Sequence, residues 1–192
     1  MDQMVKSKRS WKDRVPLPIV SPSTGAHPGC YQLGFEVEKQ KETQWCWAAV
    51  AASVSKFYYA RSRWTQCRLA CLELGQSNCC KNSASQACNR AWYLCKALQR
   101  TSNLRCVRAI SLGGIHTTIL TCLQKKEPIA LRVQWPDGGG HFVLVVGVLV
   151  GRSGRLDILI SDPWYGIFIA DMDTALRAYR EKGMMTHLYR TQ

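Results

Sequence analysis

No stretch of this sequence is apolar for long enough to cross a bilayer. The longest such run, Phe142 to Val150, has nine residues and includes a Gly, where a spanning helix needs about 20, so no membrane span is expected. The apolar core of a Sec-type signal peptide is missing too. Lys6, Lys8 and Arg9 are followed by Val15-Pro-Leu-Pro-Ile-Val20, which is short and broken by proline. Acidic residues are scarce, 13 against 26 Lys and Arg, and the formal net charge is +13. Between Ala60 and Arg108 nine basic residues stand against a single acid, Glu73. Such a stretch can attract an acidic partner. No aromatic interleaving or binding motif accompanies it, which argues against nucleic acid and for the solvated faces of helices. Histidine is scarcer still, with only four in the chain. Low hydrophobicity is also absent: 46% hydrophobic residues and seven Trp exclude disorder and suit one globular domain of 192 residues.

Cysteine is plentiful, and it is clustered. Six of the ten fall between Cys67 and Cys95, and Cys30, Cys46, Cys106 and Cys122 lie outside. Cys67-x3-Cys71 followed by adjacent Cys79-Cys80, with no His nearby, does not match the paired CxxC or CxxH spacing of zinc sites, so no metal is expected. Disulfides in an oxidising compartment or buried thiols fit better. Cys67 and Cys71 are one helical turn apart and face the same way, within reach of the Cys79-Cys80 loop. Cys88 and Cys95, two turns apart, share a face of the next predicted helix. Two or three disulfides tying these segments together are expected, with Cys46 left reduced.

Residues 1–34 carry four of the seven Pro and a Ser-Pro-Ser-Thr-Gly run, and read as an extended or mobile arm. From Cys46 to Tyr59 the chain is Ala-rich and apolar on nearly every side, which predicts a helix buried in the core. Further helices are predicted at about 65–74, 84–100 and 115–126, with Ser83 or Ser85 as N-cap of the one at 84–100. The period then changes. Ile129–Trp135, His141–Val150 and Leu156–Ser161 are β-branched runs separated by Gly clusters, the pattern of consecutive antiparallel strands. Ile167–Ala170 and Met185–Tyr189 add strands, and Met172–Arg180 a short helix. Helices first and a sheet after predict one α+β domain over 35–192, in two halves with a cleft between.

Three residues of that frame carry chemistry. Cys46 opens the strongest helix, where the backbone N–H groups and the macrodipole favour a thiolate. By itself such a cysteine is more often a small packing residue. His141 leads an apolar strand just after Gly138-Gly-Gly140, which leaves space around its ring, whereas His27, His116 and His187 lie in the arm, at a helix start and in the last strand. Asp162 opens Asp-Pro-Trp-Tyr-Gly166 at the end of the next strand, so a hairpin brings it beside His141. An acceptor there can bond the imidazole Nδ1–H and orient the ring. Trp47 and Trp164 are expected to pack in the core or to shield that bond.

Gln40-x5-Cys46-Trp-Ala-Ala, then Gly139-Gly-His141-Phe, then Asp162-Pro-Trp-x-Gly166 resembles the papain-like cysteine proteases of bacteria. The pattern is most similar to the avirulence-effector type used by plant pathogens, and more distantly to the double-glycine leader peptidases. The segment from Trp64-Thr-Gln-Cys67 to Cys79-Cys80 also resembles the insert after the nucleophile helix in this family. The resemblance implies a helical half holding a central nucleophile helix, an antiparallel β half, and an active cleft between them. It implies that Gln40, six residues before Cys46, donates a side-chain N–H to the oxyanion hole. Cys46 and His141 are 95 residues apart, closer than the roughly 130–150 of plant-type papain, and the Cys-Gly-Ser-Cys-Trp context is absent, as fits a compact bacterial branch.

The expected activity is therefore cysteine endopeptidase, with Cys46, His141, Asp162 and Gln40 as its catalytic residues. A protein or peptide is the expected substrate, and no cofactor or metal is implied. The protein is expected to be secreted or translocated as an effector, by a route other than a Sec signal. A deamidase or transglutaminase would use the same triad on side-chain amides. A basic, cysteine-stapled binding domain without activity is the reading from another class.

Overall fold

The computed structural model describes residues 30–150 and 154–192. Five helices and seven strands are found among them, in the expected α+β order. Helix α1 (Cys46–Tyr58) is buried from Cys46 to Ser55 because nearly every side chain there is small or apolar. Around it pack α2 (Gln66–Leu74) and α3 (Leu94–Arg100). Thr65 caps α2 by accepting from Arg68 N at 3.3 Å, and Gly75 closes it in the left-handed conformation, φ 64°. Helix α4 (Ile115–Gln124) lies close to its predicted bounds, just before Pro128.

The strands form one antiparallel sheet. Strands β2 (Leu104–Ala109), β3 (Ile129–Gln134), β4 (Gly140–Val150), β5 (Leu156–Asp162), β6 (Gly166–Asp171) and β7 (Met184–Thr191) run in the order β2-β7-β3-β4-β5-β6. The short β1 (Cys30–Gln32) pairs with the far end of β4. Helix α5 (Met172–Ala178) stands between β6 and β7. Continuous burial of β4 from His141 to Val148 makes it the spine of the sheet half, and α1 packs against it.

Several expectations differ from the structure. The helix predicted at 84–100 exists only as α3; residues 82–93 are turns and loop. Ser83 does not cap it but donates to Glu42, and Ser85 donates to Asn82 O. The carbonyls of Cys88 and Arg90 accept instead from the indoles of Trp45 (2.7 Å) and Trp47 (3.0 Å), so tertiary bonds override local helix preference. Two disulfides form, Cys67–Cys80 and Cys79–Cys88, while Cys71 and Cys95 stay free, and Cys88 lies in the loop rather than on a helix. Of the predicted arm, residues 1–29 lie outside the described residues and Cys30–Gln32 form β1. Strand β2 was not foreseen either; it is an edge strand with partly exposed faces and shows no strong apolar alternation.

Candidate active site

Cys46 and His141 face one cleft of about 370 Å³, whose walls include Gln40, Trp92, Trp135 and Tyr165. Cys46 reaches it because α1 begins there, after a loop held in place by side chains. Trp45 and Trp47 on either side are fully buried. Burial of each indole contributes about 4–6 kcal/mol, at most, from the 150–250 Å² it removes from water. No side chain caps the start of α1, so its first-turn N–H groups are not claimed from that quarter.

His141 opens β4 opposite Val133 of β3. The turn before it needs glycine at Gly138 and Gly139, with φ 94° and 74°. Gly140 is crowded differently: a Cβ there would sit 3.0 Å from Val133 O and 3.1 Å from the Arg132 guanidinium. Asp162 ends β5, next to β4 in the sheet, so the two side chains meet across adjacent strands.

His141 Nε2 lies 2.9 Å from Asp162 Oδ1. That corrects the expected atom, since the carboxylate takes Nε2 and leaves Nδ1 for the side of the cleft that Cys46 also lines. Burial works against a charged imidazole, but the bonds to Asp162 and Cys46 and their charges outweigh it, holding the His141 pKa at about 9. Asp162 has no exposed side-chain surface. Burial raises its pKa, but the bond and charge of His141, the Tyr179 hydroxyl and the Trp164 N–H bring it below the usual carboxylate range. Oδ1 also accepts from Trp164 N at 2.7 Å and Tyr165 N at 3.0 Å, so the residue that starts the turn is the one that holds the histidine.

Gln40 lines the same cleft and is buried. Its Nε2 donates to Glu42 O (2.8 Å) and Thr43 O (3.0 Å), and its Oε1 is buried without a partner. Both amide hydrogens are thus aimed at the loop before Cys46. Its backbone N–H donates to Pro163 O at 2.8 Å, which ties that loop to the Asp162 turn. Trp47 is core as expected, but Trp164 is not: it is 46% exposed at the mouth of the cleft. Two contributors escaped sequence reasoning. Asn89 accepts from Gln44 N and donates to Thr43 Oγ1, both at 2.9 Å, and Tyr179 donates to Asp162 Oδ2. Neither belongs to a motif, since each meets its partner only through the fold.

No helix among the described residues is long and apolar enough to cross a membrane, and no cluster of His, Cys, Asp or Glu among them is arranged to hold a metal. No curated protein matches the sequence significantly. Among solved structures, the chain is similar to a double glycine motif protease from an AMS/PCAT transporter in complex with the leader peptide. That likeness has a TM-score of 0.44 and 19% identity, over 84% of this chain and 95% of the other. The profile of the papain-like cysteine protease AvrRpt2 matches residues 29–184. With that match over most of its length, the chain belongs to the AvrRpt2 family of papain-like cysteine proteases.

Proposed function

We propose that the protein hydrolyses peptide bonds of a protein or peptide substrate with Cys46 as nucleophile, His141 as acid and base, and Asp162 as the group that orients His141. The observation that carries this is His141 held by Asp162 Oδ1 in the same cleft as Cys46, at the start of a buried helix. With a pKa of about 9 the imidazole is charged at neutral pH. Cys46 attacks the scissile carbonyl through its sulfur while His141 gives its Nδ1 proton to the leaving amine. The same nitrogen next takes a proton from the water that releases the acyl group. The Cys46 backbone N–H and the Gln40 amide stabilise the oxyanion. For Gln40 this means that an incoming oxyanion shares a hydrogen now pointed at Glu42 O or Thr43 O.

The setting proposed is that of a secreted or translocated bacterial effector, which the family membership and the two disulfides support. The basic residues of 60–108 offer a docking surface for an acidic partner. Arg100 is paired with Glu73 and Arg105 with Glu127, while Arg61, Arg63, Lys81 and Arg90 are exposed. The test is incubation of wild type and Cys46→Ala with a peptide library, with new N-termini read by mass spectrometry. New termini from wild type only are expected, with both proteins melting alike. Deamidated side chains on uncut peptides would replace this reading with that of an amidase.

A further inference from the structure

The carboxylate of Asp162 has two oxygens, and the reaction proposed above uses only one. Oδ1 takes His141 Nε2 and the two turn N–H groups. Oδ2 takes the hydroxyl of Tyr179. A carboxylate withdrawn from water is costly unless its lone pairs are bonded, and without a donor on Oδ2 a proton would be the alternative partner. A protonated Asp162 would no longer balance the charge on His141.

The phenol is delivered by a rigid device. Tyr179 has no exposed surface, and its ring lies 6.1 Å from those of both Trp135 and Phe168. Its backbone closes a tight turn with Gly183, through Tyr179 N to Gly183 O (2.6 Å) and Gly183 N to Tyr179 O (2.8 Å). Arg180 and Glu181 occupy the left-handed region there, at φ 49° and 71°. Gly183 is required, because a Cβ would stand 2.5 Å from Val133 Cγ1 and 2.7 Å from Trp135 Cζ3. The same turn lays Arg180 over the Tyr165 ring at 3.7 Å, and Tyr165 meets the His141 ring edge-on at 6.4 Å.

We propose that Tyr179 is a positioning residue of the active site, its hydroxyl holding Asp162 ionised and fixed so that the series Cys46, His141, Asp162 gains a fourth member. The proposal rests on the protease reading of that site. The ionisable groups around Asp162 are His141 from β4, Tyr165 from the turn after β5, and Tyr179 and Arg180 from the turn after α5, with Cys46 of α1 beyond His141. Burial and the charge of Asp162 push the Tyr179 pKa well above its ordinary value, so it stays a donor across the working range.

The test uses the full chain with carbon-13-labelled aspartate carboxyls, as wild type and Tyr179→Phe. Loss of the donor should move the acid limb of kcat/KM up by about one pH unit, the scale of one hydrogen bond to a charged group. The Asp162 carboxyl titration should move with it, while KM holds. In an Asp162→Asn background, Tyr179→Phe should cost no further activity. An unchanged limb and titration, with only a lower melting temperature, would reduce Tyr179 to packing and overturn the proposal. If Tyr179→Phe does not fold, 3-fluorotyrosine at position 179 keeps the ring and donates more strongly, so limb and titration should move down; no movement overturns the proposal. The carboxyl titration needs no substrate, so it still decides the role of Tyr179 if wild type cleaves nothing and the protease reading fails.

Discussion

On the sheet side of the cleft, His141 and Asp162 end adjacent strands, and the register that pairs Leu144 with Ser161 brings them together. On the helical side, Cys46 depends on a loop with no regular partner. That loop is gripped by a second loop: Trp45 and Trp47 donate to Cys88 O and Arg90 O, and Gln44 and Thr43 bond Asn89. Cys79–Cys88 and Cys67–Cys80 then fasten the second loop to α2. Backbone ladders thus orient His141 and Asp162, whereas covalent staples and side-chain bonds orient Cys46. A ladder is specified by neighbours in sequence and strand pairing; the staples work only once distant segments have met.

The sharpest way to break the sheet side is Asp162→Asn, which keeps the shape but replaces the carboxylate that balances and orients His141 with a neutral amide, one of whose two positions donates instead of accepting. We expect kcat to fall by about 10⁴, the loss seen for the equivalent change in a Ser-His-Asp triad. Steady-state kinetics on a cleaved peptide measures it, with alkylation of Cys46 as a check that the helical side is intact. Next in size is Gln40→Ala, with an expected loss of about 10²–10³ in kcat if the amide serves the oxyanion. A fall in stability without that loss would leave Gln40 as a brace for the Glu42 and Thr43 carbonyls.

Replacing Cys79 and Cys88 together with Ala tests the other wall. The bridge spans nine positions in sequence, and its loss should cost about 3 kcal/mol in the chain-entropy treatment, read by urea unfolding. kcat should fall as well, while the imidazole signal of His141 keeps its titration.

Within the sheet side, the pH dependence of stability has opposite signs for its two groups. His141 has a folded pKa of about 9, above its ordinary 6.5. Its stabilisation is therefore complete below about pH 6.5 and lost as pH rises through about 9. Asp162, held below its ordinary value, stabilises above the usual carboxylate range, and that contribution is lost as pH falls through its lowered pKa. Urea midpoints against pH should show the alkaline loss in wild type and not in His141→Gln. The smallest effect expected is that of Asn89→Ala, about 1 kcal/mol for bonds on an exposed loop, with a modest fall in kcat and no change in the His141 titration.

Much of the site was legible in the sequence because it follows from local pattern. An Ala-rich apolar run sets a buried helix beginning at Cys46. A Gly-Gly-Gly turn before a Val-rich run sets a strand opening at His141, and Asp-Pro-Trp-Tyr-Gly sets a turn with Asp162 as its acceptor. Other features were not legible, since no local period encodes them. The 84–93 segment reads as helix until two indoles bond its carbonyls. Cys67 and Cys71 share a helical face, yet only Cys67 is bridged.

The sequence by itself determined the helix that begins at Cys46, the run of strands from Ile129 onward, and the His and Asp that meet beside that helix. Periodicity, turn chemistry and composition act over a few residues, so they survive in one dimension. Tertiary structure alone decided which imidazole nitrogen meets Asp162, where the Gln40 amide points, which cysteines pair, and that Tyr179 completes the carboxylate. Each of these is a contact between residues far apart in the chain, where rotamer and register choose among partners of equal chemistry.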